Sequence, residues 1–184
     1  MTRRRSMFLH AAYALLLGLA AASCHGGEER SAETPRSTSA MGQAPDFTLR
    51  TIGCASFRVA DHLGKEAIVL SFFATWCEEC FVELPHLQQV YDAHAKDGLL
   101  FVGVSMDGPE SAADVGPFIR RHGLTMPVVI DEETRAVSLY NPRRSAPFMV
   151  LIDRQGHIVK VREGYVPGEA DQITEEIRRI LTPS

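Results

Sequence analysis

No internal repeat runs through this chain of 184 residues, and cysteine is scarce: of four, only Cys77 and Cys80 lie close together. A structural zinc site normally takes four ligands, and the chain has neither a second Cys pair nor a close pair among its seven His. Positive charge is also in short supply. The 19 Lys and Arg are outnumbered by 23 Asp and Glu. With Arg3, Arg4 and Arg5 set aside, 16 basic residues face 23 acidic ones. An acidic body of this kind argues against nucleic acid as a partner, since phosphate binding rests on Lys and Arg. What remains is ordinary for a globular protein, with 45% hydrophobic and 23% charged residues.

The first 24 residues contain no acid. Arg3-Arg4-Arg5 forms a positive start, Met7 to Ala22 is mostly apolar, and small residues lead into Cys24. The stretch is too short and wrongly flanked for a stable transmembrane helix, and reads as a signal peptide. Its end, Leu19-Ala20-Ala21-Ala22-Ser23-Cys24, resembles a bacterial lipobox, with Ala21 where Leu is usual. That resemblance implies that Cys24 becomes the lipidated first residue of a mature lipoprotein held on a membrane. Cleavage without lipid and an uncleaved anchor are the alternatives, and Arg4-Arg5 also allows a twin-arginine route. Residues 25–44 lack aromatics and are rich in Gly, Ser, Thr, Glu, Arg and Pro. They cannot bury enough apolar surface to order themselves and read as a flexible tether of at most about 65 Å. Residues 45–184 are then the folded domain.

Within that domain, strands alternate with helices. Short strands are expected at Asp46–Leu49 and Ser56–Val59, around a turn at Gly53. Ala67 to Phe73 is a near-continuous apolar run, as in a strand buried on both faces of a parallel sheet. A helix follows from Cys77 to about His94, with Phe81, Leu84, Leu87 and Tyr91 on one stripe. His86 falls on its outer side. Further strands are expected at Leu99–Ser105 and Pro127–Ile130, and helices at Ser111–His122 and Thr134–Tyr140. Pro147–Ile152 and Ile158–Arg162 flank the turn Asp153-Arg154-Gln155-Gly156 as a hairpin, and a last helix runs from about Glu169 to Leu181. The pattern is an α/β fold whose late hairpin makes the sheet mixed.

The chemistry lies at Cys77-Glu78-Glu79-Cys80, where the buried strand gives way to a helix. A cysteine at a helix start sits near unpaired backbone N–H groups and the positive end of the dipole, which favour the attacking thiolate. Two intervening residues bring the second sulfur within reach of a disulfide. Cys77 is expected to be the exposed attacking thiol, and Cys80, one turn inside, the resolving one. An inert structural disulfide is the bland alternative.

Phe73-Ala74-Thr75-Trp76-Cys77-Glu78-Glu79-Cys80, followed by Glu83 and Pro85, resembles the TlpA/ResA-like branch of the thioredoxin family, over roughly Ala44 to Leu181. The resemblance implies a thioredoxin-like fold with a mixed central sheet flanked by helices, an N-terminal strand extension and a strand–helix insert. It also implies an exported thiol-disulfide oxidoreductase that needs no cofactor or metal. Its clients would be disulfide-containing secreted proteins, apocytochrome c among the candidates, and a membrane dithiol donor would reset the pair. The chain departs from the family at Glu79, where Pro is usual. A cis-proline that packs against the disulfide is implied at Ala146–Pro147; Pro127 is the competitor and belongs to the insert. Glu83 is displaced by about 60° from Cys80 around the helix, and the resemblance implies a buried carboxylate there. Burial would raise its pKa and let it shuttle the proton of Cys80. Trp76 is expected to flank the sulfurs and shape the docking surface.

Glu78 and Glu79 bear on direction. Their charge disfavours a thiolate at Cys77 while favouring the helix start. Strong oxidants of this fold stabilise their reduced form through a very low thiolate pKa, so the acidic pair points to a reductant. Cys54 lies in the turn Thr51-Ile52-Gly53-Cys54 and reads as a bystander thiol, with a second redox or intermolecular role as the alternative. Three other functions compete. A peroxiredoxin-like peroxidase would call for Pro-x-x-x-Thr-x-x-Cys before the attacking thiol, and Leu70 to Trp76 lacks that proline. A copper-delivery lipoprotein would space its cysteines by three residues. A plain interaction module would have no need of the intact Trp-Cys-x-x-Cys.

Overall fold

The computed structural model describes residues 41–182. The expected leader, with Cys24, and the tether up to residue 40 lie outside the described residues. In chain order the elements are β1 (Thr48–Thr51), β2 (Ser56–Arg58), β3 (Ala67–Phe73), α1 (Glu78–His94), β4 (Leu99–Ser105), α2 (Ala112–Arg121), β5 (Val128–Ile130), α3 (Arg135–Tyr140), β6 (Phe148–Ile152), β7 (Ile158–Glu163) and α4 (Ala170–Leu181). No described helix is long and apolar enough to cross a membrane.

All seven residues of β3 are buried, because helices cover both of its faces. Alternate side chains divide between two cores, as the strand period of two requires. Ala67, Val69 and Phe73 join Leu84 and Leu87 of α1, Val115 and Phe118 of α2, and Ile173 and Ile177 of α4. Ile68, Leu70 and Phe72 face the other way, onto Ala136 and Val137 of α3 and onto Phe47, Phe57 and Val59 of the N-terminal segment. The strands form one sheet in the order β2-β1-β5-β4-β3-β6-β7. β3, β4 and β5 are parallel, while β6, β7, β1 and β2 each pair antiparallel to their neighbours. The hairpin β1–β2 continues the sheet beyond β5, which is the expected extension resting on the expected insert.

Element bounds move by one or two residues, and three placements differ more. The tether ends before residue 44: Met41 N donates to Ile158 O at 2.8 Å, Ala44 N to Gly156 O at 2.9 Å, and Gln43 bridges His157. The edge of β7 recruits this backbone through its main-chain groups. The buried side of α1 includes Glu83, Gln88 and Val90, whereas Phe81 is exposed and Tyr91 half-buried. Phe81 instead lies against Phe118 and His122, at ring separations of 5.4 and 5.6 Å. His86, expected on the outer side, faces α4, with Nε2 3.0 Å from Ala170 O and 3.1 Å from Thr174 Oγ1.

Candidate active site

Parallel β3 and β4 end side by side, Phe73 level with Ser105. Beyond β3 the chain turns through Ala74, Thr75 and Trp76 into α1. Cys77 is the cap of that helix, with extended backbone (φ −91°, ψ 108°), and its Sγ accepts the Cys80 N–H at 3.2 Å. The cap and the helix dipole therefore act on the same sulfur. Cys77 and Cys80 are joined in a disulfide, with Cα atoms 5.3 Å apart. Exposed Glu78 and Glu79 occupy the first turn, and Trp76 stands 64% exposed beside the pair. The expectation of an exposed Cys77 needs correction: in the oxidised state it retains 3% of its surface, against none for Cys80. What little surface the pair retains belongs to Cys77.

One turn inside, Glu83 is 2% exposed, and its Oε2 has no hydrogen-bond partner. Burial pushes its carboxyl up to about 7, with the Arg162 guanidinium pulling the other way. Arg162 is itself committed to α4, donating to Glu169 at 2.6 Å and to Glu176 at 3.1 Å, so its charge offsets burial only in part. The pairing of Phe72 with Phe148 puts Phe73 level with Pro147, and so brings the loop before β6 to the same end of the sheet. The Ala146–Pro147 bond is cis. Ala146 packs against the core cluster that contains both cysteines. A helix-capping disulfide, a buried carboxyl that titrates near neutrality and an adjacent proline loop together allow thiol exchange with proton transfer. Among the described residues, no three His, Cys, Asp or Glu are placed to hold a metal ion.

Comparison with known proteins agrees with this geometry. Residues 41–161 match the model of the AhpC/TSA family. The chain belongs to the AhpC/TSA family. Within it, the chain is 32% identical to the thiol-disulfide oxidoreductase ResA of Halalkalibacterium halodurans over 141 residues, which cover 77% of this chain and 76% of that one. A protein of Chlorobium tepidum assigned as the thiol:disulfide interchange protein DsbE superposes with a TM-score of 0.71 at 25% identity, covering 79% of this chain and all of that one. A second thiol:disulfide interchange protein from the same organism, a thioredoxin family protein, gives 0.66 at 25% identity, covering 77% and 97%. This AhpC/TSA member is ResA-like, has the thioredoxin-like fold, and is a thiol-disulfide oxidoreductase.

The structure thus brings Trp76, Cys77, Cys80, Glu83, Ala146 and Pro147 to one end of the sheet. It sets Cys54 apart: exposed, with φ 64°, in the β1–β2 turn. Thr51 pairs with Val129 and Arg50 with Ile130, so that turn lies toward the amino end of β5, away from the active-site end. Two residues near the site went unnoticed in the sequence. Asp107 and Asn141 are both fully buried and hydrogen-bonded, Asp107 to Thr75 and Ser105, Asn141 to Ser145. A signal for Asp107 was present: an acid directly after an apolar strand, at the carboxyl end of a parallel sheet, where α/β folds place their sites.

Proposed function

We propose that this family member is an exported, lipid-anchored protein-disulfide reductase working through Cys77 and Cys80. The Cys77 thiolate attacks one sulfur of a client disulfide; a Cys77–client bond forms, and the client's other sulfur leaves as a thiolate and takes up a proton. Cys80 then gives its proton to the Glu83 carboxylate and attacks Cys77 Sγ, closing the internal disulfide and releasing the second client sulfur as a thiolate, which takes up a proton from solvent. The client gains two electrons and the enzyme pair loses two. A membrane dithiol donor returns the electrons. Trp76 and the Ala146–Pro147 loop form the client-facing surface, and Glu78 and Glu79 bias the pair toward reduction of clients. Secreted proteins with disulfides, apocytochrome c among them, are the client class, and Cys24 carries the lipid that holds the enzyme at the membrane.

The observation that carries this reading is the Cys77–Cys80 disulfide at the mouth of α1, with Cys77 on its outer side. The test is a trap. Full-length protein carrying Cys80→Ser should retain its client as a mixed disulfide on Cys77, identified by mass spectrometry. The complex should sediment with membranes, and Cys24→Ala should release it. A folded Cys80→Ser protein that captures no client, or a Cys77→Ser protein that captures as well, would overturn the exchange mechanism. Sedimentation unaffected by Cys24→Ala would overturn the anchor.

A further inference from the structure

Asp107 is fully buried just past the carboxyl end of β4, and three donors converge on its carboxylate. Thr75 Oγ1 donates to Oδ1 at 2.5 Å, and Thr75 N–H donates to Oδ2 at 3.1 Å. Ser105 Oγ donates to Oδ2 at 2.8 Å, and the Asp107 N–H donates back to Ser105 Oγ at 3.2 Å. Thr75 is two residues before Cys77, in the short turn between β3 and α1. The turn has one further tie, from Cys77 N–H to Ala74 O at 3.1 Å. A carboxylate can accept from all three donors at once, whereas an amide oxygen has half the capacity. The next-door residue serves the other loop. Met106 N–H donates to Phe73 O at 2.8 Å, and its Sδ lies 3.4 Å from Asn141 Nδ2. Asn141 in turn closes the loop ahead of Pro147, donating to Ser145 O at 2.7 Å and accepting from Ser145 N–H at 3.0 Å.

We propose that Asp107 is a positioning residue for disulfide exchange: clamped to Thr75, it holds Trp76 and Cys77 at the helix mouth, while the strand end it terminates also carries, through Met106 and Asn141, the loop bearing Pro147. Exchange requires three sulfurs in line, and the attacking one follows a short turn in which Thr75 and Trp76, unlike Ala74 and Cys77, are not buried in the core. A fixed turn removes the orientational search from each encounter, and a misplacement of about 1 Å can cost two orders of magnitude in rate. The inference rests on Cys77 as the attacking sulfur.

The test measures the rate at which Cys77 is captured by glutathione disulfide, read as the Cys77 adduct by peptide mass spectrometry in the Cys80→Ser background. Asp107→Asn, Thr75→Val and Thr75→Ser are compared, each corrected for folded fraction from its thermal melt. Capture should slow about tenfold in Asp107→Asn and about threefold in Thr75→Val. Thr75→Ser, which restores the hydroxyl donor, should return to within about twofold of the parent. A purely structural role would lower the melting temperature without slowing folded molecules. If Asp107→Asn does not fold, the two Thr75 variants decide. Parent-like capture by folded Asp107→Asn, or by Thr75→Val, overturns the proposal. Client reduction that survives Cys77→Ser would instead sink the mechanism beneath it, and the two failures are told apart by that variant.

Discussion

A carboxyl group that is 2% exposed, with one oxygen unpartnered, costs the fold far more when ionised than when neutral. Glu83 ionises at about 7 in the folded protein, against an ordinary 4.5. Between those two values the unfolded chain has already lost the proton that the folded chain keeps, so stability falls as pH rises through the window and levels off above about 7. The full effect of such a shift is about 3 kcal/mol. Glu83→Gln removes the titration. Urea unfolding at pH 4 and pH 8 should show wild type losing most of that amount between the two, and the variant losing much less. At pH 8 the variant should be the more stable of the two. Parallel curves would mean that Glu83 is solvated. The feature that makes Glu83 costly at pH 8 would also suit it to the proposed exchange of a proton with Cys80, because a group balanced near neutrality can take a proton and release it again.

At the scale of elements, β3 and β4 meet where Gly103 leaves room for a ring. A Cβ on Gly103 would lie 3.2 Å from Phe73 Cε1 and 3.1 Å from Val128 Cγ2. Phe73 is fully buried, stacks on Phe118 at 5.7 Å and immediately precedes the active-site turn. Gly103→Ala should therefore destabilise by about 1–3 kcal/mol, as overpacking does, measured by urea denaturation; a neutral outcome would show that the ring can retreat. The same elements show what a sequence discloses. The apolar run Ala67–Phe73 marks a doubly covered strand, and a cysteine pair at its exit marks the site, because both signals are contiguous along the chain. Phe81 was misplaced because a helical stripe does not reveal where its centre points, and α1 turns Glu83 and Gln88 inward beside Leu84 and Leu87. The contacts of Asp107 and Arg162 were not legible for a different reason. Asp107 meets its partner Thr75 across 32 residues, and Arg162 comes near Glu83 only once β7 has closed the sheet. The tether's last residues were misjudged because backbone pairing at a strand edge leaves no trace in side-chain composition.

Across the whole molecule, redox direction and stability are one quantity viewed from two sides. Oxidised and reduced folds, with their two unfolded counterparts, form a cycle. A pair that reduces its clients must have a disulfide form more stable, relative to its dithiol form, than an unstructured pair has. On the proposed reading, the acids at the helix start weigh on that balance: Glu78 and Glu79 follow Cys77 on the first turn. Both carboxylates would oppose a thiolate, while the helix start and the Cys80 N–H favour one. If the carboxylates prevail, the oxidised protein should unfold at a higher temperature than the dithiol form, by about 4 °C for each kcal/mol in a domain of this size. Equilibration with glutathione should return the same difference, at about 30 mV for each 1.4 kcal/mol. Agreement between melt and potential, with the oxidised form the more stable, places the enzyme among reductants. A dithiol form that melts higher, with a correspondingly oxidising potential, would mean that the helix mouth overrides its acids and that the enzyme makes disulfides in its clients.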